Sequence, residues 1–445
     1  MTIDWLVYFT DPVLRAPTIG CILIGFASSL VGMLMLLKKQ SLIGEVLSHT
    51  AFPGIILGAA LTSLFTVGEY FNLFVMASAA VGCIAGNWAV SFLKKRMRIK
   101  SDAALCFTLA VFFGLGVLFA SKIQSTHVVL YKQALLFLYG QVATMTDAML
   151  ILYTCLAILT VSIIVLLYHP IQAVLFDRQF ANIVGLKTTF IDLVVSGLLI
   201  LAIVIGMRSV GVVLMAGMLI APAIAARAWT NRLWLCLLLA ALFGVFSSYF
   251  GNVLSVEGAK IIALHYPGWK FSLPTGPLIL LFAAALAVIS IFLAPSGILA
   301  RYMRMARFRR RMAKEHFLKA LWRKGKRYFI TRKEIRMICE HNQSMHRVVL
   351  HDLIRAGLLT KEVGGLYSLS DKGWAHACHI VRLHRLWEVY LVKYLSQGVD
   401  RVHRSAEELE HVMSPELERE LEKLLGDLDY DPHRQPIPTR REATW

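Results

Sequence analysis

Nine long apolar segments limit what this chain can fold into. Each is about as long as an α-helix must be to cross the hydrocarbon core of a bilayer, which takes about 20 residues. They cover residues 13–37, 41–65, 71–93, 102–121, 147–168, 188–207, 209–227, 233–253 and 274–294. A mean hydropathy of +0.63 agrees with this pattern. We therefore expect an all-α polytopic membrane protein with about nine transmembrane helices. Residues 122–146 are apolar but interrupted, and we interpret them as a candidate re-entrant segment.

The composition changes sharply after Pro295. Residues 295–327 contain twelve basic residues and a single acid, Glu315. Basic loops favour the cytoplasmic side of a membrane. If every segment crosses, Lys38, Lys39 and residues 94–100 fall on the same side as this basic stretch. The pattern predicts a protein of the bacterial inner membrane with an external N-terminus and a cytoplasmic C-terminal tail.

Ionisable residues near the apolar segments are candidates for an ion path, because charge inside a bilayer is costly and is usually functional. Glu45 and His49 lie one helical turn apart in the second segment, and His49 precedes Pro53 by another turn. Asp192 lies near the start of the sixth segment. Proline frees backbone carbonyls that can line a pathway. The alternatives are that Pro53 only kinks the helix and that Glu45 lies at its cytoplasmic end.

The tail begins with the pattern of a winged helix-turn-helix. Thr331 and Glu334 fit a capping box at the start of a short helix, a second helix runs from Ser344 to Ala356, and residues 358–370 resemble a hairpin around two glycines. Such a fold would place the second helix in a major groove. Its exposed face could equally be only solvated. The predicted DNA-facing residues are Gln343, Ser344, His346, Arg347, His351 and Arg355.

Histidines and acids recur at helical spacing later in the tail. His384 and Glu388 are four residues apart, so they share one face of a helix. The next helix carries a second group on roughly one side, His403, Glu407, Glu410 and His411. Imidazole and carboxylate suit divalent first-row metals, and the lack of sulfur here favours manganese or iron over zinc or copper. The alternative is a set of solvated side chains on amphipathic helices.

Two stretches resemble the signatures of the metal-ion ABC permeases of the zinc, manganese and iron uptake family. They are Ser41–Gly54, which reads SLIGEVLSHTAFPG, and Val212–Arg227. Between them, Phe176–Leu186 is similar to the family's cytoplasmic segment that docks on the ATPase. The resemblance places ATPase coupling at Asp177, Arg178, Gln179, Ala181 and Gly185.

The permease resemblance also implies partners. The chain lacks G-x-x-x-x-G-K-[ST], the loop that binds nucleotide phosphates. ATP hydrolysis is therefore expected from a separate ATP-binding subunit. A periplasmic metal-binding protein and a second permease subunit are expected as well.

Residues 315–438 resemble the diphtheria-toxin-repressor and manganese-regulator family. The matching stretches are Leu383–Leu391, Val402–Ser414 and Asp431–Pro438. The resemblance assigns His384, Glu388 and His403 to one metal site and Glu407, Glu410 and His411 to another, in a dimer. His316 stands where this family usually has methionine or aspartate. An apolar residue near Val348 replaces the polar residue that reads bases in some relatives.

The two resemblances predict four regions and one function. The regions are a permease domain at 1–295, a basic cytoplasmic linker at 296–314, a winged helix-turn-helix at 315–372 and a metal-binding and dimerisation domain at 373–438. The expected function is not enzymatic. It is import of iron or manganese, joined to a metal-dependent repressor of operator DNA that proteolysis releases. One alternative is a tail that brakes transport in response to metal without binding DNA, and another is a membrane part that serves only as an anchor.

Overall fold

The computed structural model describes residues 6–62, 71–265, 273–338, 345–409, 415–426, 428–439 and 442. Within helices, the side chains of residues 338, 345–347, 399, 400, 404, 408 and 415 lie outside this description. The chain divides into two compact units, Met1–Arg301 and Tyr302–Trp445. Glu410, His411, Gln343 and Ser344, four of the predicted site residues, lie outside the described residues.

The first unit is built from helices. Its elements are α1 (Val7–Thr10), α2 (Pro12–Leu37), α3 (Ile43–Thr62), α4 (Phe71–Lys95), α5 (Ser101–Thr126), α6 (Val128–Tyr139), α7 (Asp147–Leu166), α8 (Tyr168–Phe176), α9 (Arg178–Ile183), α10 (Thr188–Val210), α11 (Val212–Trp229), α12 (Leu233–His265) and α13 (Thr275–Leu293). In the part of the chain that the structure describes, nine helices are long and apolar enough to span a membrane. They fall on the nine predicted segments, which confirms the expected fold class.

The interrupted segment forms α6, which is too short to span a bilayer. Its 12 residues rise about 18 Å, against a hydrocarbon core of about 30 Å. Gly140 ends α6 with φ +74°, and Gly211, with φ +95°, separates α10 from α11. A Cβ on Gly140 would lie 2.4 Å from the Gly211 nitrogen. Only glycine combines a left-handed conformation with this close approach, so the pair fixes α6 against the turn between the two longer helices.

Small residues allow α3 and α4 to pack closely. The two helices carry glycines four residues apart, Gly54 and Gly58 on α3 and Gly82 and Gly86 on α4. A Cβ on Gly82 would lie 2.5 Å from the Thr50 carbonyl oxygen, and one on Gly54 would lie 2.4 Å from that of Ser78. Helices in lipid associate through such backbone contact because burial of apolar surface gives them little.

The second unit has a smaller apolar core of its own. Its elements are α14 (Ile298–Lys324), which begins four residues before the unit's boundary, α15 (Arg332–Ile338), α16 (Met345–Arg355), β1 (Leu359–Lys361), β2 (Tyr367–Leu369), α17 (Asp371–Leu395), α18 (Val399–Leu409) and α19 (Pro415–Leu425). Phe317 and Leu321 of α14 pack with Val349 and Leu353 of α16 and with Ile380 of α17. This core holds α16 and α17 in place.

Local signals in the sequence account for several boundaries in the second unit. The Thr331 amide donates to Glu334 Oε2 at 2.9 Å and the Glu334 amide donates to Thr331 Oγ1 at 3.3 Å, as the capping box predicted. Gly357, with φ +71°, follows α16. Strands β1 and β2 pair antiparallel with Leu359 opposite Leu369. The order of two helices and a hairpin is therefore the order expected from the sequence.

Replacing Gly82 by alanine tests the contact between α3 and α4. The added methyl group would press on the Thr50 carbonyl oxygen, and over-packing of this kind costs about 1–3 kcal/mol. We expect Gly82→Ala to lower the melting temperature of the detergent-solubilised protein. Gly114→Ala is the control, since a Cβ there meets no atom within 4 Å and alanine favours helix over glycine. A Gly82→Ala protein as stable as wild type would contradict the importance of this contact.

Candidate metal centre

Two helices of the second unit bring three predicted ligands together. Ser370 caps the start of helix α17, because its hydroxyl oxygen accepts from the Gly373 amide at 2.9 Å. His384 and Glu388 follow on one face of α17, and α18 supplies His403. Imidazole nitrogens and a carboxylate oxygen from these residues all lie within 4.8 Å of one another. The spacing of four predicted the first pair, while the approach of His403 depends on the turn between the helices.

The three side chains converge on one carboxylate oxygen. Glu388 Oε1 lies 3.1 Å from His384 Nε2 and 2.8 Å from His403 Nδ1. The two imidazole nitrogens are 2.9 Å apart. His384 and Glu388 are 4% and 2% exposed, whereas His403 is open to solvent. Two nitrogens and one oxygen at this separation form a ligand set that fits a divalent first-row cation, and solvent access at His403 leaves a route for it.

Glu388 is held as a carboxylate. Burial acts to raise the pKa of this side chain, but its contacts with His384 and His403 together outweigh burial and lower the pKa to about 2. A buried negative charge without partners would be too costly to keep. At neutral pH the site therefore presents an ionised oxygen between two imidazoles.

A cavity of about 300 Å³ is lined by these three ligands together with residues that the sequence analysis did not assign. The Lys319 ammonium lies 3.0 Å from His384 Nδ1, and His433 Nε2 lies 4.0 Å from Glu388 Oε1. His433 belongs to the Asp431–Pro438 stretch on which the repressor resemblance partly rests. Its position in that stretch was the available signal for a third imidazole nitrogen near the site.

The segment that carries His433 is fastened to α17 by arginines. Arg382 donates to Glu422 Oε1 at 3.0 Å and to the Pro438 carbonyl at 2.9 Å. Arg385 donates to Gln435 Oε1 at 2.8 Å. Because arginine presents several donors in a fixed plane, these contacts hold the segment against the helix that carries His384 and Glu388.

A second predicted group is described in part. His316 Nδ1 on α14 lies 3.6 Å from Glu407 Oε1 on α18. Glu410 and His411 lie outside the described residues. The structure thus brings one of the three ligands assigned to this group next to His316.

The predicted DNA-facing residues fall on α16 and just before it. His351 is exposed on α16. His346 and Arg347 belong to α16, but their side chains lie outside the description. The neighbouring Asp352 pairs with Lys314 of α14 at 3.4 Å, which ties α16 to the first helix of the unit.

The three predicted ion-path residues occupy different surroundings in the membrane unit. His49 is partly buried on α3, with its ring edge-on to Phe113 at 5.2 Å between centroids. Glu45 is exposed at the start of the same helix. Asp192, on α10, pairs with Lys38 at 2.8 Å and with Arg178 at 2.6 Å. Within the described residues, no contact joins Asp192 to His49.

The predicted coupling residues have distinct structural roles around α9. Asp177 caps the helix by accepting from the Gln179 and Phe180 amides at 2.9 and 3.0 Å. Ala181 is fully buried, so its side chain serves packing. Gly185 follows the helix with φ +85°. Gln179 is exposed. The sequence analysis missed an apolar surface on α8 and α9, formed by exposed Phe176, Phe180, Ile183 and Val184.

Comparison with known families accounts for both units. Residues 10–294 match the ABC 3 transport family. Residues 370–439 match the metal binding and dimerisation domain of iron dependent repressors. A transport family and a repressor domain confirm the prediction that the chain is not an enzyme.

Individual relatives extend the similarity over almost the whole chain. A probable metal transport system membrane protein of Chlamydia trachomatis is 36% identical over 97% of this chain and 97% of its own length. A manganese transport system membrane protein of Bacillus subtilis is 30% identical over 95% of this chain and 88% of its own. Among solved structures, PsaBC from Streptococcus pneumoniae in complex with Fab is 25% identical, with a TM-score of 0.55 over 69% of this chain and all of that one. The chain is therefore a multi-pass membrane protein that belongs to the ABC 3 transport family and carries a repressor-type metal-binding domain after its membrane helices.

Proposed function

We propose that the membrane unit is the permease subunit of an ABC importer for manganese or iron, and that the tail senses the same ion in the cytosol. The observation that carries this proposal is the convergence of His384, Glu388 and His403 in a chain whose other unit belongs to a metal transport family. Nitrogen and oxygen donors without sulfur favour manganese and iron over copper. The name of the Bacillus subtilis relative gives independent support for manganese.

The importer requires further subunits. ATP hydrolysis comes from a separate ATP-binding subunit, because the sequence has no phosphate-binding loop. The apolar surface of α8 and α9, with Ile183 84% exposed, is the docking surface we assign to that subunit. A second permease subunit completes the membrane part, and a periplasmic metal-binding protein delivers the ion. The basic residues between the spans support a cytoplasmic tail.

In this proposal the tail is a metal-dependent repressor. Two helices and a hairpin between residues 332 and 369 have the order of a winged helix-turn-helix, and α16 is the proposed recognition helix. Metal at the site between α17 and α18 would fix a dimer so that the paired recognition helices match successive major-groove faces. Residues 301–311 of α14 include six arginines and are almost all exposed. We place release of the tail by proteolysis in this stretch.

Metal binding tests the candidate site directly. We expect Glu388→Ala to weaken Mn²⁺ binding to the full-length protein at least tenfold, because it removes the oxygen on which both imidazoles converge. Isothermal titration at pH 7.5 measures the affinity. Glu420→Gln is the matched control, as this acid lies exposed on α19. Equal affinities for the Glu388→Ala and wild-type proteins would refute the assignment.

The pH dependence of binding follows from the ligand types. An imidazole binds metal only when unprotonated, and its ordinary pKa is about 6.5. Glu388, with a pKa of about 2, stays ionised throughout. We therefore expect the Mn²⁺ affinity to fall at least about tenfold between pH 7.5 and pH 5.5, because protons compete with the metal for imidazole nitrogens. An affinity independent of pH in this range would mean that the ion binds through oxygen alone.

DNA binding separates a repressor from a brake on transport. We expect Mn²⁺ to strengthen binding of the protein to DNA from upstream of its own gene at least tenfold at fixed salt, and Glu388→Ala to abolish this gain. Fluorescence anisotropy measures the affinity. If metal leaves DNA binding unchanged but slows ATP-driven transport, the tail acts as a brake instead. Immunoblotting of a C-terminal tag, in cells that express the full-length protein, shows whether a soluble fragment is released.

A further inference from the structure

Asp192 connects three elements of the membrane unit at one carboxylate. Its Oδ2 accepts from Arg178, the first residue of α9, at 2.6 Å. Its Oδ1 lies 2.8 Å from the ammonium of Lys38 at the end of α2, an ion pair outside hydrogen-bond geometry. Asp192 itself belongs to α10. Helices α2, α9 and α10 therefore meet at a single negative charge.

The surroundings make this connection more than a surface ion pair. The side chains of Lys38 and Asp192 are 11% and 24% exposed, so solvent screens them less than it screens exposed pairs. A cavity of about 340 Å³ lies beside them, lined in part by Asn87, Ser91 and Ser196. The space between the helices is thus not filled with packed side chains on that side. The charged side chains bridge the helices there.

Helix α9 is tied to α10 at both of its ends. At the first end, Asp177 caps the helix and Arg178 reaches Asp192. At the other end, the Thr188 hydroxyl donates to Asn182 Oδ1 at 2.8 Å. A six-residue helix held at two points moves together with the start of α10. Two apolar side chains of this helix, Phe180 and Ile183, are exposed.

We propose that Asp192 is a positioning residue that transmits movement of α9 to α2 and α10 during transport. This inference rests on the proposed docking of the ATP-binding subunit on α8 and α9. A displacement of α9 moves Asp192 through its ion pair with Arg178. The ion pair between Asp192 and Lys38 then displaces α2. Helix α2 packs against α7, α11 and α12, so displacement at one carboxylate reaches most of the membrane unit. In this proposal Asp192 serves the coupling of ATP hydrolysis to transport.

Neutralising the carboxylate removes this connection selectively. With Asp192→Asn, the cations of Lys38 and Arg178 remain close together without a shared anion, and they repel each other. The apolar surface of α9 is unchanged, so the ATP-binding subunit still docks. ATP hydrolysis should then continue while fewer ions cross the membrane per ATP.

The test uses the permease reconstituted in proteoliposomes with its ATP-binding subunit, the second permease subunit and the periplasmic metal-binding protein. Mn²⁺ uptake and ATP hydrolysis are measured together. We expect Asp192→Asn to retain at least half of the wild-type ATP hydrolysis and bound ATP-binding subunit, while the Mn²⁺ moved per ATP falls about fivefold or more. Asp192→Glu should restore the ratio to within twofold of wild type. The control is Asp147→Asn. Arg15 and Asp147 form another ion pair between helices, at 3.0 Å, in which both side chains are exposed.

Each outcome decides a separate claim. An unchanged ratio in Asp192→Asn overturns the inference. So does a fall in uptake that accompanies a lower melting temperature and loss of the ATP-binding subunit, because that result indicates a structural role alone. A wild-type complex that moves neither manganese nor iron contradicts the proposed importer, and the coupling role of Asp192 falls with it. Wild-type transport with a reduced ratio only in Asp192→Asn supports both.

Discussion

Close contact between helix backbones is the condition on which the membrane unit depends. In lipid, apolar helices gain little by hiding apolar surface from their surroundings, so attraction between them comes from van der Waals contact at short range. Gly82 on α4 and Gly54 on α3 provide that contact by leaving room for the opposite backbone. The pairing of α3 and α4 therefore depends on positions that carry no side chain.

The sequence predicted the membrane helices more completely than it predicted the metal site of the second unit. Apolar length located the nine spans, and a capping box at Thr331 located the start of α15, because both signals are local. His403 could be paired with His384 only through a family resemblance, since the approach of α18 to α17 depends on tertiary packing. Lys319 was missed for the same reason. It lies 65 residues before His384, and no periodicity connects the two.

Charge has opposite uses in the two units. At Asp192 one acid holds two cations and leaves its own helix attached to two others, so the charge acts as a mechanical connection. At Glu388 one acid holds two imidazoles, a side-chain type that commonly binds metals through a ring nitrogen. A metal ion can therefore bind between Glu388 and these imidazoles, whereas the ammonium and the guanidinium at Asp192 have no lone pair to offer a metal. The distances from the carboxylate to its partners are similar at Asp192 and Glu388, but only the partners of Glu388 can bind a metal ion.

Lys319 has a consequence for the sensitivity of the site. Its ammonium stands 3.0 Å from the far nitrogen of His384, so a cation arriving at the near nitrogen approaches a fixed positive charge. Repulsion over such a distance in a partly buried pocket weakens occupancy. In the proposed sensor this repulsion raises the ion concentration at which the site fills, which is the property that distinguishes a gauge of supply from a scavenger.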